Sequence, residues 1–220
     1  MRKGIIGTAL ASVCVAVLVV SGCGENINEL KENARAKVLS EPVMAAEETE
    51  EEETEEESVS PEQMDLIKYN YYVELNNEIV KLMDDIDYYY EVVEYDEEFA
   101  LIPDSGYTYG YRIRGFGKDL ADDCIQLADM EPAYETLDPL IKEMAEPLKE
   151  LMAAFSEVSR SNDYAANQYQ KAKELHAVIY PAADEFEPMG YEFIHAVSAV
   201  ADERIAAEEE AMKAEGRLIA

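Results

Sequence analysis

From Met64 onward, apolar residues return at every third or fourth position: Met64, Ile67, Tyr71, Leu75, Ile79, Leu82, Ile86, Tyr89 and Val93. That spacing lays one apolar stripe along an α-helix, and Glu74, Asn77, Lys81, Asp84 and Glu91 fall on the opposite face. Ser60-Pro61-Glu62-Gln63 supplies the start, with Ser as N-cap, Pro at the first helical position and Gln63 placed to close a capping box. The pattern predicts a long first helix of about eight turns.

Residues 96–117 break the pattern. Pro103, Gly106, Gly110, Gly115 and Gly117 punctuate a tyrosine-rich stretch whose alternation has period two, so part of it reads as extended but too short for a sheet of its own. A short helix is expected over 118–130, stopped by Glu131-Pro132. The next stripe is Tyr134, Leu137, Ile141, Met144, Leu148, Leu151, Phe155 and Val158, a second long helix. Asp138-Pro139 is an alternative start for it, and Pro147 predicts a kink. Residues 159–163 read as a turn. A third stripe then runs from Tyr164 through Gln168, Ala172, Leu175, Ile179, Ala182, Phe186, Met189, Phe193, Val197 and Val200 to Arg204. Its phase passes through Pro181 and Pro188-Met189-Gly190, which favours one long, kinked helix; a break at Pro188 is the alternative. After Ile205 the chain is rich in Ala and Glu, with no evident stop before Ala220. The expected fold of residues 61–220 is all-α: an elongated antiparallel bundle of about three long, partly kinked helices, one short helix and an irregular Tyr/Gly-rich loop.

Charge narrows the function classes. The chain has 220 residues, with 18 Lys and Arg against 49 Asp and Glu, for a formal net charge of −31. A surface this negative repels phosphate backbones, so no nucleic-acid partner is expected. Hydrophobic content of 48% suffices for a packed core, while 10 Gly and 8 Pro are few turn formers, in keeping with long helices.

The first sixty residues carry a different signal. Arg2 and Lys3 precede an uncharged apolar run from Gly4 to Val20, which ends in Val20-Ser21-Gly22-Cys23. A basic start, an apolar middle and small residues before a cysteine resemble a bacterial lipobox, so residues 1–22 are expected to be a lipoprotein signal peptide and Cys23 the lipidated first residue. An acyl anchor on Cys23 implies a membrane as partner and an extracytoplasmic, envelope location. Residues 23–60 read as a tether. Residues 25–39 are compatible with a short helix of mixed charge, and residues 47–57 hold nine Glu interrupted only by Thr49 and Thr54, a self-repelling and extended tract. Cys14 would leave with the signal, so Cys124 alone remains in the folded part and no internal disulfide is expected; its helical spacing with Leu120 and Leu127 makes it a buried apolar position.

Candidate chemistry is sparse. There is no His-Glu-x-x-His, Cys-x-x-Cys, EF-hand loop, Gly-x-Ser-x-Gly or phosphate loop. Glu192 and His195 have the i, i+3 spacing of a di-iron half-motif, but no second Glu-x-x-His occurs, so no metal site is expected. His176 lies beside the Leu175 stripe and reads as a boundary histidine bonded to a neighbour. All 15 tyrosines fall within 69–191, a pattern that suits rings at the edge of a thin bundle with hydroxyls in water. The loop residues Tyr107, Tyr109, Tyr111, Arg112 and Arg114 are the candidate ligand-binding set, two cations and three rings in a negative field. No cofactor and no enzymatic activity are expected. A binding or scaffold role toward an envelope protein or small ligand fits best, and a solute- or metal-binding module built on the loop or on Glu192/His195 is the alternative.

Three blocks carry a family resemblance: Lys68-Tyr69-Asn70-x-Tyr72-x-x-Leu75-Asn76, Leu137-Asp138, and Asp163-Tyr164-x-x-Asn167-x-x-x-Lys171-x-Lys173-Glu174-Leu175-His176. Over roughly residues 64–215 the chain resembles the YiiG-like group of bacterial lipoproteins of unknown function (domain of unknown function 3829). It departs from that pattern with Asn167 in place of Asp and Ala172 in place of Gly, and members tend to continue further toward the C-terminus. The resemblance implies an all-helical extracytoplasmic domain and brings no activity, cofactor or catalytic residue.

Overall fold

A computed structural model describes residues 60–103, 105, 118–160 and 167–217. Within them the chain is all-α: α1 (Pro61–Tyr90), α2 (Lys118–Leu127), α3 (Leu137–Arg160) and α4 (Gln170–Ala214).

α1 starts where its capping box places it. Ser60 Oγ accepts from the Gln63 amide at 3.2 Å, and the Ser60 amide donates to Gln63 Oε1 at 2.9 Å. The expected stripe from Ile67 to Val93 is buried, and Glu74, Asn77, Asp84 and Glu91 are exposed. The helix stops at Tyr90, short of Val93. Val93 instead forms an isolated antiparallel bridge with Leu101, fixed by Glu94 N–H to the Ala100 carbonyl (2.8 Å) and Ile102 N–H to the Val92 carbonyl (2.9 Å). The period-two stretch, 104–114, lies outside the described residues apart from Ser105.

α2 is the short helix and ends at Leu127. It lies antiparallel to α3, as the ion pairs Asp122–Lys149 and Asp129–Lys142 show. Cys124 is fully buried, as its spacing predicts. α3 begins at Leu137 rather than Tyr134, so of the two expected starts the one at Asp138-Pro139 is the better description. It continues through a buried Pro147 and takes in Ser159 and Arg160, which the sequence placed in a turn.

α4 begins at Gln170, six residues after Tyr164. Gln168 and Tyr169 have φ of 58° and 61°, a left-handed conformation that cannot open a helix, so Gln168 is exposed instead of lying on the stripe. From there α4 is a single helix of 45 residues through both Pro181 and Pro188, which settles the alternative at Pro188. The expected absence of a stop is corrected at its end. Gly216 takes φ 67°, its amide bonds to the Lys213 carbonyl (3.1 Å) and the Arg217 amide to the Met212 carbonyl (2.9 Å), a Schellman termination.

Directions follow from the contacts. Lys68 meets Asp138 near the starts of α1 and α3, and Tyr89 packs on Phe155 near their ends. α4 pairs Phe193 with Tyr72 and His176 with Tyr89, so it runs antiparallel to both. α2 returns the chain and lets α1 and α3 share a direction. One core of Tyr72, Tyr89, Phe155, Phe186 and Phe193 runs the length of the bundle.

Gly190 marks a close approach of α4 to α1 just past Pro188. It is buried, and a Cβ there would stand 3.2 Å from the Phe186 ring and 3.4 Å from Met83 Sδ of α1. Gly190→Leu is expected to lower the unfolding free energy by about 1–3 kcal/mol through overpacking, read by urea titration; unchanged stability would mean the α1–α4 contact yields freely.

Candidate functional site

Two polar clusters lie inside the bundle, and a third opens onto a groove. The first is built on Lys68, which is fully buried in α1. Its ammonium donates to Asp138 Oδ2 (2.8 Å), the Met130 carbonyl (2.7 Å) and the Pro132 carbonyl (2.9 Å), so all three of its donors are satisfied. Asp138, in the first turn of α3, accepts in addition from Tyr72 hydroxyl at 2.6 Å and from the Tyr134 amide at 2.8 Å. A carboxylate at a helix N-terminus is also favoured by the helix dipole. Burial, then the Asp138 carboxylate, push the Tyr72 phenol far above its ordinary range, so it remains a hydrogen-bond donor. The cluster joins α1, the 128–136 turn and α3.

The second cluster surrounds His176. Asp96 offers a carbonyl oxygen that can only accept, so Nε2 carries the hydrogen and donates to it at 2.8 Å. Nδ1 is then an acceptor, and the Tyr89 hydroxyl donates to it at 2.6 Å. The imidazole stacks on Tyr89, meets Phe99 edge-on and leans on Tyr180. Burial lowers the His176 pKa below its ordinary 6.5, partly opposed by the Asp96 hydrogen bond. His176 is therefore a neutral core residue, deeper than the boundary position expected. The tyrosines differ likewise: Tyr72 and Tyr89 keep their hydroxyls inside, each bonded to a buried partner.

The third cluster joins α1 to α4. Arg204 donates to Asp65 Oδ2 at 2.5 Å and to Tyr134 hydroxyl at 2.6 Å, and its guanidinium lies 4.3 Å from the centroid of the Tyr69 ring. Tyr134 hydroxyl in turn donates to Asp65 Oδ1 at 2.7 Å. Beside this cluster runs an open groove of about 610 Å³, floored by Ala196, Ala199, Val200 and Ala207 and walled by the 133–137 turn, Glu203 and Arg204.

Of the sequence candidates, Cys23 and the loop set Tyr107, Tyr109, Tyr111, Arg112 and Arg114 lie outside the described residues. Glu192 and His195 are both exposed on α4. Among the described residues no three His, Cys, Asp or Glu side chains gather to hold a metal ion, and no helix is long and apolar enough to cross a membrane. Sequence reasoning missed the groove. Arg204 at the end of an apolar stripe was the available signal, since a cation at an inward position needs a carboxylate across from it.

Lys68→Met is expected to cost about 3–5 kcal/mol, because it strands the Asp138 charge inside. In a double-mutant cycle with Asp138→Leu, the paired loss should fall short of the sum of the single losses by about 0.5–3 kcal/mol, measured by denaturant unfolding. His176 predicts a pH dependence. The unfolded chain takes up its proton near 6.5 and the folded chain only at lower pH, so its contribution is complete above 6.5 and declines as pH falls below it. Unfolding midpoints across pH 7 to 5 should show this slope, and His176→Gln should flatten it.

No curated protein and no solved structure matches the chain in sequence or fold comparison. A family match spans residues 63–219, which takes in Lys68, Tyr72, Asp138, His176 and Arg204 alike. The chain therefore belongs to the family described as protein of unknown function, DUF3829.

Proposed function

We propose that this protein is a lipid-anchored, extracytoplasmic lipoprotein of the bacterial cell envelope, whose helical domain has a non-enzymatic binding or scaffold role. The observation that carries the reading is Val20-Ser21-Gly22-Cys23 at the end of an uncharged run behind Arg2 and Lys3. Two acyl chains or more on Cys23 would hold the chain stably at a bilayer, where one alone binds marginally. Residues 24–59 would then separate the anchor from Ser60, where the helical domain begins.

The chemistry of the described residues supports a binding role over catalysis. Lys68, Asp138, Tyr72, Tyr89 and His176 have their polar atoms engaged by one another and by backbone groups, so they hold helices together. Glu192 and His195 offer two exposed donors with no third residue gathered beside them among the described residues, which favours this reading over a metal-binding module.

The anchor is tested by Cys23→Ser. The variant should leave the membrane fraction and appear in the soluble one, and metabolic labelling with palmitate should vanish. Labelled Cys23→Ser protein would overturn the lipoprotein reading.

A further inference from the structure

The groove beside Arg204 is an unpartnered face of α4. Ala196, Ala199, Val200, Glu203 and Ala207 share one side of the helix, three to four residues apart. Beyond Ala201 no described residue of α4 is buried, so its neighbours fall away there. Small side chains on the floor let another helix approach closely. The charge at this face is negative: Glu135, Glu203 and Asp65 line it, and Arg204 is already held by Asp65.

One segment of this chain has the complementary pattern. In residues 27–39, Ile27, Leu30, Ala34 and Val38 recur at steps of three and four, the spacing of one helix face. On a helix, Lys31 and Arg35 flank that face on one side and Lys37 on the other, while Glu25, Glu29 and Glu32 point away from it. Those three cations are the only ones between Lys3 and Lys68, in a chain of net charge −31. As a helix the segment would be ~18 Å long, against ~16 Å of α4 from Ala196 to Ala207. We propose that residues 27–39 fold back as an amphipathic helix and dock in the groove between the 133–137 turn and α4, with Lys31, Arg35 and Lys37 facing Glu135 and Glu203.

The connection permits it. Residues 40–59 reach at most about 66 Å when extended, and Asp65 on the groove wall lies only ~8 Å along α1 from Ser60. A tether of this length confers an effective concentration of order millimolar, so a contact with only millimolar intrinsic affinity is substantially occupied. The acidic tract over 47–57 is repelled by the net negative groove, which leaves the groove to the basic segment. Docking is independent of acylation at Cys23.

The test is zero-length carbodiimide coupling on the full chain in detergent, followed by peptide mass spectrometry. Amide links from Lys31 or Lys37 to Glu135 or Glu203 are expected. Leu30→Asp, outside the helical domain, and Ala199→Trp, at an exposed floor position, should each lower their yield about tenfold, the loss of one good apolar contact. A mixture of light and heavy isotope-labelled chains should give links within one chain only. Links confined to the 47–57 tract, links only between light and heavy copies, or yields unmoved by both variants would each overturn the proposal.

Discussion

The bundle depends on a charge placed where charges are rarely found. Lys68 is fully buried, and an ammonium out of water is tolerated only if every donor has a partner and the charge is matched. Here the partners are a carboxylate of α3 and two carbonyls of the preceding turn. The requirement acts as a positioning rule. α1 has to meet the first turn of α3, and the 128–136 segment has to turn its Met130 and Pro132 carbonyls inward. A purely apolar interface between α1 and α3 would accept several registers, since ridges and grooves repeat every turn. An ion pair with its full complement of hydrogen bonds accepts one. With Tyr89 on Phe155 as a second point of contact, α1 and α3 share a direction, which α2 permits by returning the chain.

His176 acts in a similar way at the other end with a neutral group. Its two ring nitrogens demand one acceptor and one donor, and these come from the hairpin after α1 and from α1 itself. The bundle is thus pinned near both ends by polar clusters, with apolar packing between them. α4 touches both, through Phe193 on Tyr72 and His176 on Tyr89, and it is the element whose unbroken run links the two. Pro181 and Pro188 do not interrupt it, because the apolar phase on either side buries Ile179, Ala182, Phe186 and Phe193 in one continuous core. Tertiary packing outweighs the loss of individual helical hydrogen bonds.

How much of this was legible follows from what kind of information each feature carries. Helical periodicity is local, so the stripes of α1, α3 and α4 were readable, down to the burial of Cys124 and the capping box at Ser60. Starts and stops depend on backbone conformation at one or two residues. The left-handed pair Gln168 and Tyr169 has no strong sequence signature, so periodicity alone starts α4 six residues early. Gly216 does carry one, a glycine after an Ala/Glu-rich run. The polar clusters are non-local: Lys68 and Asp138 are seventy residues apart, and nothing in either neighbourhood names the other. Yet Lys68, Tyr72, Asp138 and His176 all stood in the blocks that carried the family resemblance. The residues that marked the family are those that pin the fold, which is why the resemblance conveyed architecture and no chemistry.

That distinction bears on where function sits in this chain. The buried clusters have their hydrogen bonds closed among protein groups, and opening the Lys68 cluster to a ligand would break a buried ion pair at a cost of several kcal/mol. Arg204, Asp65 and Tyr134 are different, because their cluster is half-exposed and borders open space. A guanidinium already held on one side by a carboxylate and on another by the Tyr69 face presents a fixed, oriented edge to the groove. The net charge of its lining is still negative, which is the complementarity that the proposed docking of a basic segment uses. Among the described residues this is where acidic side chains gather around open space, Asp65, Glu135 and Glu203 together, rather than spreading over a helix face.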